Sequence, residues 1–162
     1  LVDSFSHETT YYPTKNNVET LPIPYRDQGI QTSRGFRALK VWMCLKRAGR
    51  DGYAEMIGNN IRQAERLYKK IAEYPELEAV SHGLSITTFR YRPAEVQNDK
   101  FLNQLNQKIL SSLQEEAWAY PSHAWVNGKY LIRVCITNFR TTDQDIDELP
   151  EKVLSIAHKY LQ

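Results

Sequence analysis

Residues 128–137, "GKYLIRVCIT", place a charge where a strand wants none. Tyr130, Ile132, Val134 and Ile136 alternate as one face of a β-strand, and Leu131, Arg133, Cys135 and Thr137 make the other. Arg133 therefore sits mid-run among apolar neighbours, where an unpaired guanidinium is costly to bury. Two kinds of partner would relieve it. One is a carboxylate of the fold itself, in a salt bridge at a strand edge; structural ion pairs outnumber ligand sites, so spacing alone favours this reading. The other is a ligand carboxylate, which the planar guanidinium fork matches in shape and charge.

Two more features carry chemistry of a recognisable kind. Tyr11 and Tyr12 lie in an irregular N-terminal stretch. Tyrosines there serve as amphipathic surface anchors, or a mobile loop carries the phenol to a site and delivers a proton. In "IQTSRG", residues 30–35, small hydroxyl residues lead into a helix. Thr32 or Ser33 is an N-cap on one reading and the wall of a small-molecule or phosphate pocket at a helix N-terminus on the other. Other chemistries lack their residues. His7, His82, His123 and His158 show no metal-ligand spacing with one another or with the cysteines, so no metal site is expected. There is no glycine-rich phosphate loop and no serine nucleophile elbow. The basic residues from Arg34 to Arg50 alternate with an apolar stripe, which suits a solvated helix face better than a nucleic-acid patch.

The elements that must position these residues follow from periodicity. The 162 residues make one domain, or one large piece of a bigger one, long enough to bury a core without disulfides. A net charge of +2 argues against nucleic acid or a membrane surface as partner, and no apolar run approaches the ~20 residues of a membrane span. Cys44 and Cys135 lie far apart in apolar runs, which leads to an expectation of buried, reduced thiols in a cytoplasmic protein. The first 35 residues show no sustained helix pattern, so they are expected to be disordered or shaped by something outside this chain.

From Gly35 a helix begins with the stripe Phe36, Leu39, Trp42, Met43 and Leu45; Gly49 stops it, and Asp51 caps the next. Ala54, Ile57, Ile61, Ala64, Tyr68 and Ile71 form the stripe of that second helix, which ends at Tyr74-Pro75. Strands are expected near residues 76–81 and 84–91, joined by a turn at His82-Gly83. Asp99 then caps a third helix with Leu102, Leu105, Ile109 and Leu113 inward. Asn127-Gly128 joins two further strands as a hairpin. Thr142 and Asp145 resemble a capping box opening a last helix, with Ile146, Leu149, Val153 and Ile156 inward; Pro150 implies a kink or a second start there. The order loop, α, α, β, β, α, β, β, α indicates an α+β domain with helices on one face of a small antiparallel sheet.

"DQGIQTSRGFRALKVWMCLKRAGRDGYAEMI" and "GKYLIRVCITNFRTTDQDIDEL", with "LSITTFRYRP" between them, resemble the C-terminal third of the group II pyridoxal-phosphate-dependent amino acid decarboxylases. The resemblance covers essentially the whole chain. It implies the small domain of a fold-type I enzyme over residues 35–162, with residues 1–34 as the end of the large domain and a mobile active-site loop. It implies a homodimer with an amino acid as substrate and pyridoxal 5'-phosphate as cofactor. By the resemblance Arg133 recognises the substrate α-carboxylate. Tyr11, or Tyr12 if the loop is shifted by one, protonates the substrate carbon after CO2 leaves. Relatives with phenylalanine there make aldehydes instead. Ser33, with Thr32 beside it, falls where the family tunes substrate choice from the neighbouring subunit. The family's Schiff-base lysine has no match here, since none of the 21 Lys and Arg residues has the expected His-Lys context, so this chain alone is expected to be inactive. "DQGIQTSR" is closer in look to the glutamate and diaminobutyrate branches, although the substrate itself is not identified. A free-standing α+β module that binds a small carboxylate without catalysis is the alternative.

Overall fold

The computed structural model describes residues 2–5, 25–31, 33 and 35–161. They fall into two compact units, Leu1–Arg47 and Ala48–Gln162. The first holds a single helical turn, α1 (Val2–Phe5), a 3-10 turn (Tyr25–Gln28) and the start of α2 (Ala38–Ala72). The boundary lies within α2, two residues before Gly49, whose φ of 64° and ψ of −176° break the helical path. Only glycine takes that conformation without a Cβ penalty, so the expected stop at Gly49 is present as an interruption between two helical stretches. Phe36, Leu39, Trp42, Met43 and Leu45 are all exposed in this unit.

The second unit is a four-stranded antiparallel sheet in the order β1-β2-β4-β3, from β1 (Leu77–Gly83), β2 (Ile86–Tyr91), β3 (Ser122–Val126) and β4 (Lys129–Cys135). The rest of α2, α3 (Asp99–Glu115) and α4 (Asp143–Leu161) supply the helical layer. Ala64, Leu67 and Ile71 of α2, Leu105, Ile109 and Leu113 of α3, and Ile146, Leu149, Val153 and Ile156 of α4 form one core with Phe89, Tyr91, Tyr130 and Ile132. Alternation along β2 and β4 thus gives one face to the helices, as an α+β layer requires.

Several sequence expectations need correction. The buried face of α2 is Asn60, Gln63, Ala64, Leu67 and Ile71, while Ala54 and Ile57 are exposed. The helix is turned so that two amides enter the interior. Gln63 Nε2 donates to the Thr141 carbonyl at 2.9 Å, which ties the chain after β4 to α2. The cap of α3 is Asn98, whose side chain accepts from the Phe101 amide; Asp99 lies in the first turn and is used elsewhere. His82 and Gly83 belong to β1, and the turn is made by Leu84, at φ 49°, and Ser85. Helix α4 runs through the buried Pro150 as one element. Cys44 and Cys135 are both exposed: Cys135 is the last residue of β4, and Cys44 is on a helix whose apolar side chains are themselves exposed. The hairpin forms as expected, with Asn127 and Gly128 both at positive φ (51° and 75°), the signature of a type I′ turn. Thr142 and Asp145 cap α4 reciprocally, Thr142 N–H donating to Asp145 Oδ2 at 2.8 Å and Asp145 N–H to Thr142 Oγ1 at 3.2 Å.

Candidate functional site

The sheet has two arginines on the face opposite the helical core, and the fold treats them differently. Arg90 on β2 is 1% exposed. Its Nε donates to Glu78 Oε2 at 2.6 Å and its Nη1 to Asp99 Oδ1 at 2.8 Å. Lys129 Nζ adds a bond to Glu78 Oε1 at 3.1 Å. Burial pushes Glu78 up, but Arg90 and Lys129 outweigh it and hold the carboxyl below its ordinary range. Burial likewise depresses Arg90, and the bonds to Asp99 and Glu78 more than reverse this. The hydrogen bond from Arg90 also holds Asp99 low. That cluster is satisfied internally.

Arg133 on β4 is half-buried and has no carboxylate within salt-bridge distance among the described residues. The internal salt bridge that spacing favoured is therefore absent there, because the acids on this face are already held by Arg90 and Lys129. Arg133 meets hydroxyls instead. Its Nη1 donates to Ser122 Oγ on β3 at 3.2 Å. Register puts Ser122 opposite Arg133, Arg133 opposite Thr88, and Thr88 opposite Ser81. Directly paired residues share a face, so Ser122, Arg133, Thr88 and Ser81 make one row across all four strands.

A bulge in β1 completes the row. Ala79 pairs with core-facing Phe89, and two residues later Ser81 pairs with Thr88, so the extra residue Val80 moves Ser81 to the opposite face. There the Ser81 and Thr88 hydroxyls lie 2.7 Å apart, and Thr88 also reaches the Ser81 carbonyl at 3.4 Å. The result is a half-buried cation flanked by hydroxyl groups on the sheet face opposite the helical core. Such a site suits a small carboxylate, which would take the remaining guanidinium donors.

Of the residues singled out from sequence, Arg133 is placed in the second unit as just described. Ser33 is exposed in the first unit. Tyr11, Tyr12 and Thr32 lie outside the described residues. Arg90 was missed, although "ITTFRY" puts it mid-strand by the same alternation that exposes Arg133. Ser122 needed the β3–β4 register, and Ser81 needed the bulge, neither of which is visible in composition or period.

A cavity of about 660 Å³ is lined by Trp118, Tyr120, Ile136, Arg140, Asp145 and others, with no lysine and without Arg133. A groove of about 400 Å³ along α2 has Lys69 and Lys70, which are paired to Glu65 and Glu73. No described helix is long and apolar enough to cross a membrane, and no described group of His, Cys, Asp and Glu is arranged to hold a metal.

Residues 1–92 match the family model described as the pyridoxal-dependent decarboxylase conserved domain. An aromatic-L-amino-acid decarboxylase from Bacillus atrophaeus is 31% identical over 147 residues, covering 90% of this chain and 30% of that protein. Tyrosine decarboxylase 2 of Arabidopsis thaliana is 25% identical over 161 residues, 99% of this chain and 29% of its own length. Among solved structures, Oryza sativa TDC with PLP and tryptamine superposes with a TM-score of 0.74 at 17% identity, covering 99% of this chain and 34% of that one. The chain thus spans about 30% of the length of the curated relatives it matches.

Proposed function

The chain belongs to the pyridoxal-dependent decarboxylase family, and from that premise we propose that it furnishes the carboxylate-binding part of an enzyme that removes the α-carboxylate of an L-amino acid as CO2. The observation that carries this reading is Arg133, a guanidinium to which the described fold gives no acid, beside Arg90, to which it gives two. The relatives reported above are named for aromatic amino acids, which supports an aromatic substrate over the glutamate-like one that "DQGIQTSR" suggested.

The family's cofactor is pyridoxal 5'-phosphate. The described residues do not fit its seat, since no lysine lines the larger cavity and those of the groove are committed to acids. That seat falls to the remaining length of the enzyme, with residues 1–34 as the end of the large domain and its loop, and residues 35–162 as the small domain. What this chain's own residues do is bind and aim. Arg133 pairs with the carboxylate and fixes the direction of the bond that will break. The charge it meets disappears as CO2 forms, so an ion pair here cannot favour the transition state over bound substrate; its contribution is orientation and affinity. Tyr11, with Tyr12 adjacent, is the proposed acid that returns a proton to the substrate carbon. Ser33 and Thr32 are proposed to line the substrate side chain. The reading also includes a homodimer, supported by the family resemblance, and a cytoplasmic setting, with which two free thiols agree.

In the whole enzyme, Arg133→Ala is expected to lower kcat/KM for the amino acid by roughly ten- to a hundredfold, the worth of a hydrogen-bonded charge contact at a partly screened site. A value within about twofold of wild type contradicts the assignment. Tyr11→Phe should shift product from amine towards aldehyde by oxidative deamination, with dissolved O2 as the oxidant reduced to peroxide and the nitrogen leaving as ammonia, and Tyr12→Phe should do so instead if the loop is shifted by one.

A further inference from the structure

Ser122 is the one side chain that the described structure gives Arg133 as a hydrogen-bond partner, and its geometry is directional. Its Oγ lies 3.2 Å from Arg133 Nη1 and 3.4 Å from the Arg133 carbonyl oxygen. A hydroxyl has one proton. With that proton turned to the carbonyl, a lone pair is left facing the guanidinium. On the other side, Thr88 is paired with Arg133 in register but its hydroxyl is engaged by Ser81 at 2.7 Å, and the bulge at Val80 is what brings Ser81 there. Thr88 therefore walls Arg133 without competing for it. The acids of the same face are held by Arg90 and Lys129.

We propose that Ser122 is a positioning residue for substrate recognition: it fixes one nitrogen of Arg133 so that the rest of the fork is presented to the incoming carboxylate. The inference rests on the carboxylate-binding reading of Arg133. A long side chain loses rotamer freedom when it binds, and a tether made before binding removes part of that cost. Because Ser122 is exposed on edge strand β3, its hydroxyl carries no core packing, and its loss leaves the sheet intact.

The test uses the whole decarboxylase with Ser122→Ala, Ser122→Thr and Arg133→Ala. Ser122→Ala is expected to raise KM for the amino acid roughly two- to tenfold, with kcat within about twofold of wild type. The inhibition constant of the corresponding amine, which lacks the carboxylate, should stay unchanged, and Ser122→Thr should restore KM because it keeps the hydroxyl. A wild-type KM in Ser122→Ala, while Arg133→Ala loses the substrate, overturns the role of Ser122 and leaves that of Arg133 standing. An equal weakening of amine and amino acid in Ser122→Ala also overturns it, since a loosened sheet would do that. A wild-type KM in Arg133→Ala overturns both.

Discussion

Truncating Arg90 and truncating Arg133 should have very different consequences for folding, although the two lie on neighbouring strands of one sheet. Arg90→Ala removes a side chain that is 2% exposed and takes from Glu78, itself 28% exposed, its shortest ion pair. Breaking a buried ion pair from one side costs about 3–5 kcal/mol. Glu78 keeps Lys129 at 3.1 Å and Arg92 at 3.7 Å, and Asp99 is solvated, so the lower end applies. The expected loss is therefore about 3 kcal/mol. Arg133→Ala forfeits one bond to a neutral hydroxyl at a half-buried position, about 0.5 kcal/mol. Urea titrations of the 162-residue chain and both variants at pH 7, followed by far-UV circular dichroism, measure the difference. Equal losses would refute the reasoning, because Arg133 would then be a structural arginine like Arg90. So would a loss below about 1 kcal/mol for Arg90→Ala, which would mean that Glu78 is held by its other partners.

The same cluster sets an acid limit. Glu78 is held below its ordinary value of 4.5, so its contribution is fully present above that pH and is lost as pH falls through the lower folded value. The stability gap between wild type and Arg90→Ala should therefore shrink when the titrations are repeated at pH 3, and an unchanged gap would mean that Glu78 is not the partner that matters. At the β3–β4 hairpin, Gly128 has a φ of 75° and open space around its missing Cβ, so Gly128→Ala meets backbone strain alone. It should cost about 1 kcal/mol in the same assay, and a neutral substitution would contradict the type I′ turn.

The secondary structure was legible where one period dominated. Leu102, Leu105, Ile109 and Leu113 of α3, and the Asn127-Gly128 turn, are where spacing put them. The inner face of α2 was legible in part: Ala64 and Ile71 are buried as their spacing implied, but Asn60 and Gln63 are buried beside them, and a hydrophobic pattern cannot anticipate buried amides. Gln63 is explained by its bond to the Thr141 carbonyl, a contact across 78 residues that no local window contains. The candidate site was legible in the position of Arg133 and not in its surroundings. Alternation along "YLIRVCI" was enough to single out Arg133. Which acids it would lack depended on Glu78 and Asp99 being claimed by Arg90, and that follows from strand register and the start of α3. Ser81 was beyond reach, since period-2 counting from Ala79 puts it on the wrong face and only the bulge corrects it.

The central claim is that Arg133 waits for a carboxylate brought from outside the fold. A structure of the whole enzyme with the corresponding α-hydroxy acid bound, which keeps the carboxylate but lacks the amino group that condenses with the cofactor, tests it most directly. An Arg133 guanidinium nitrogen is expected about 2.7–2.9 Å from a carboxylate oxygen, with Ser122 still on Nη1. A carboxylate held by some other cation, with Arg133 turned away or paired to an acid of the protein, would contradict it.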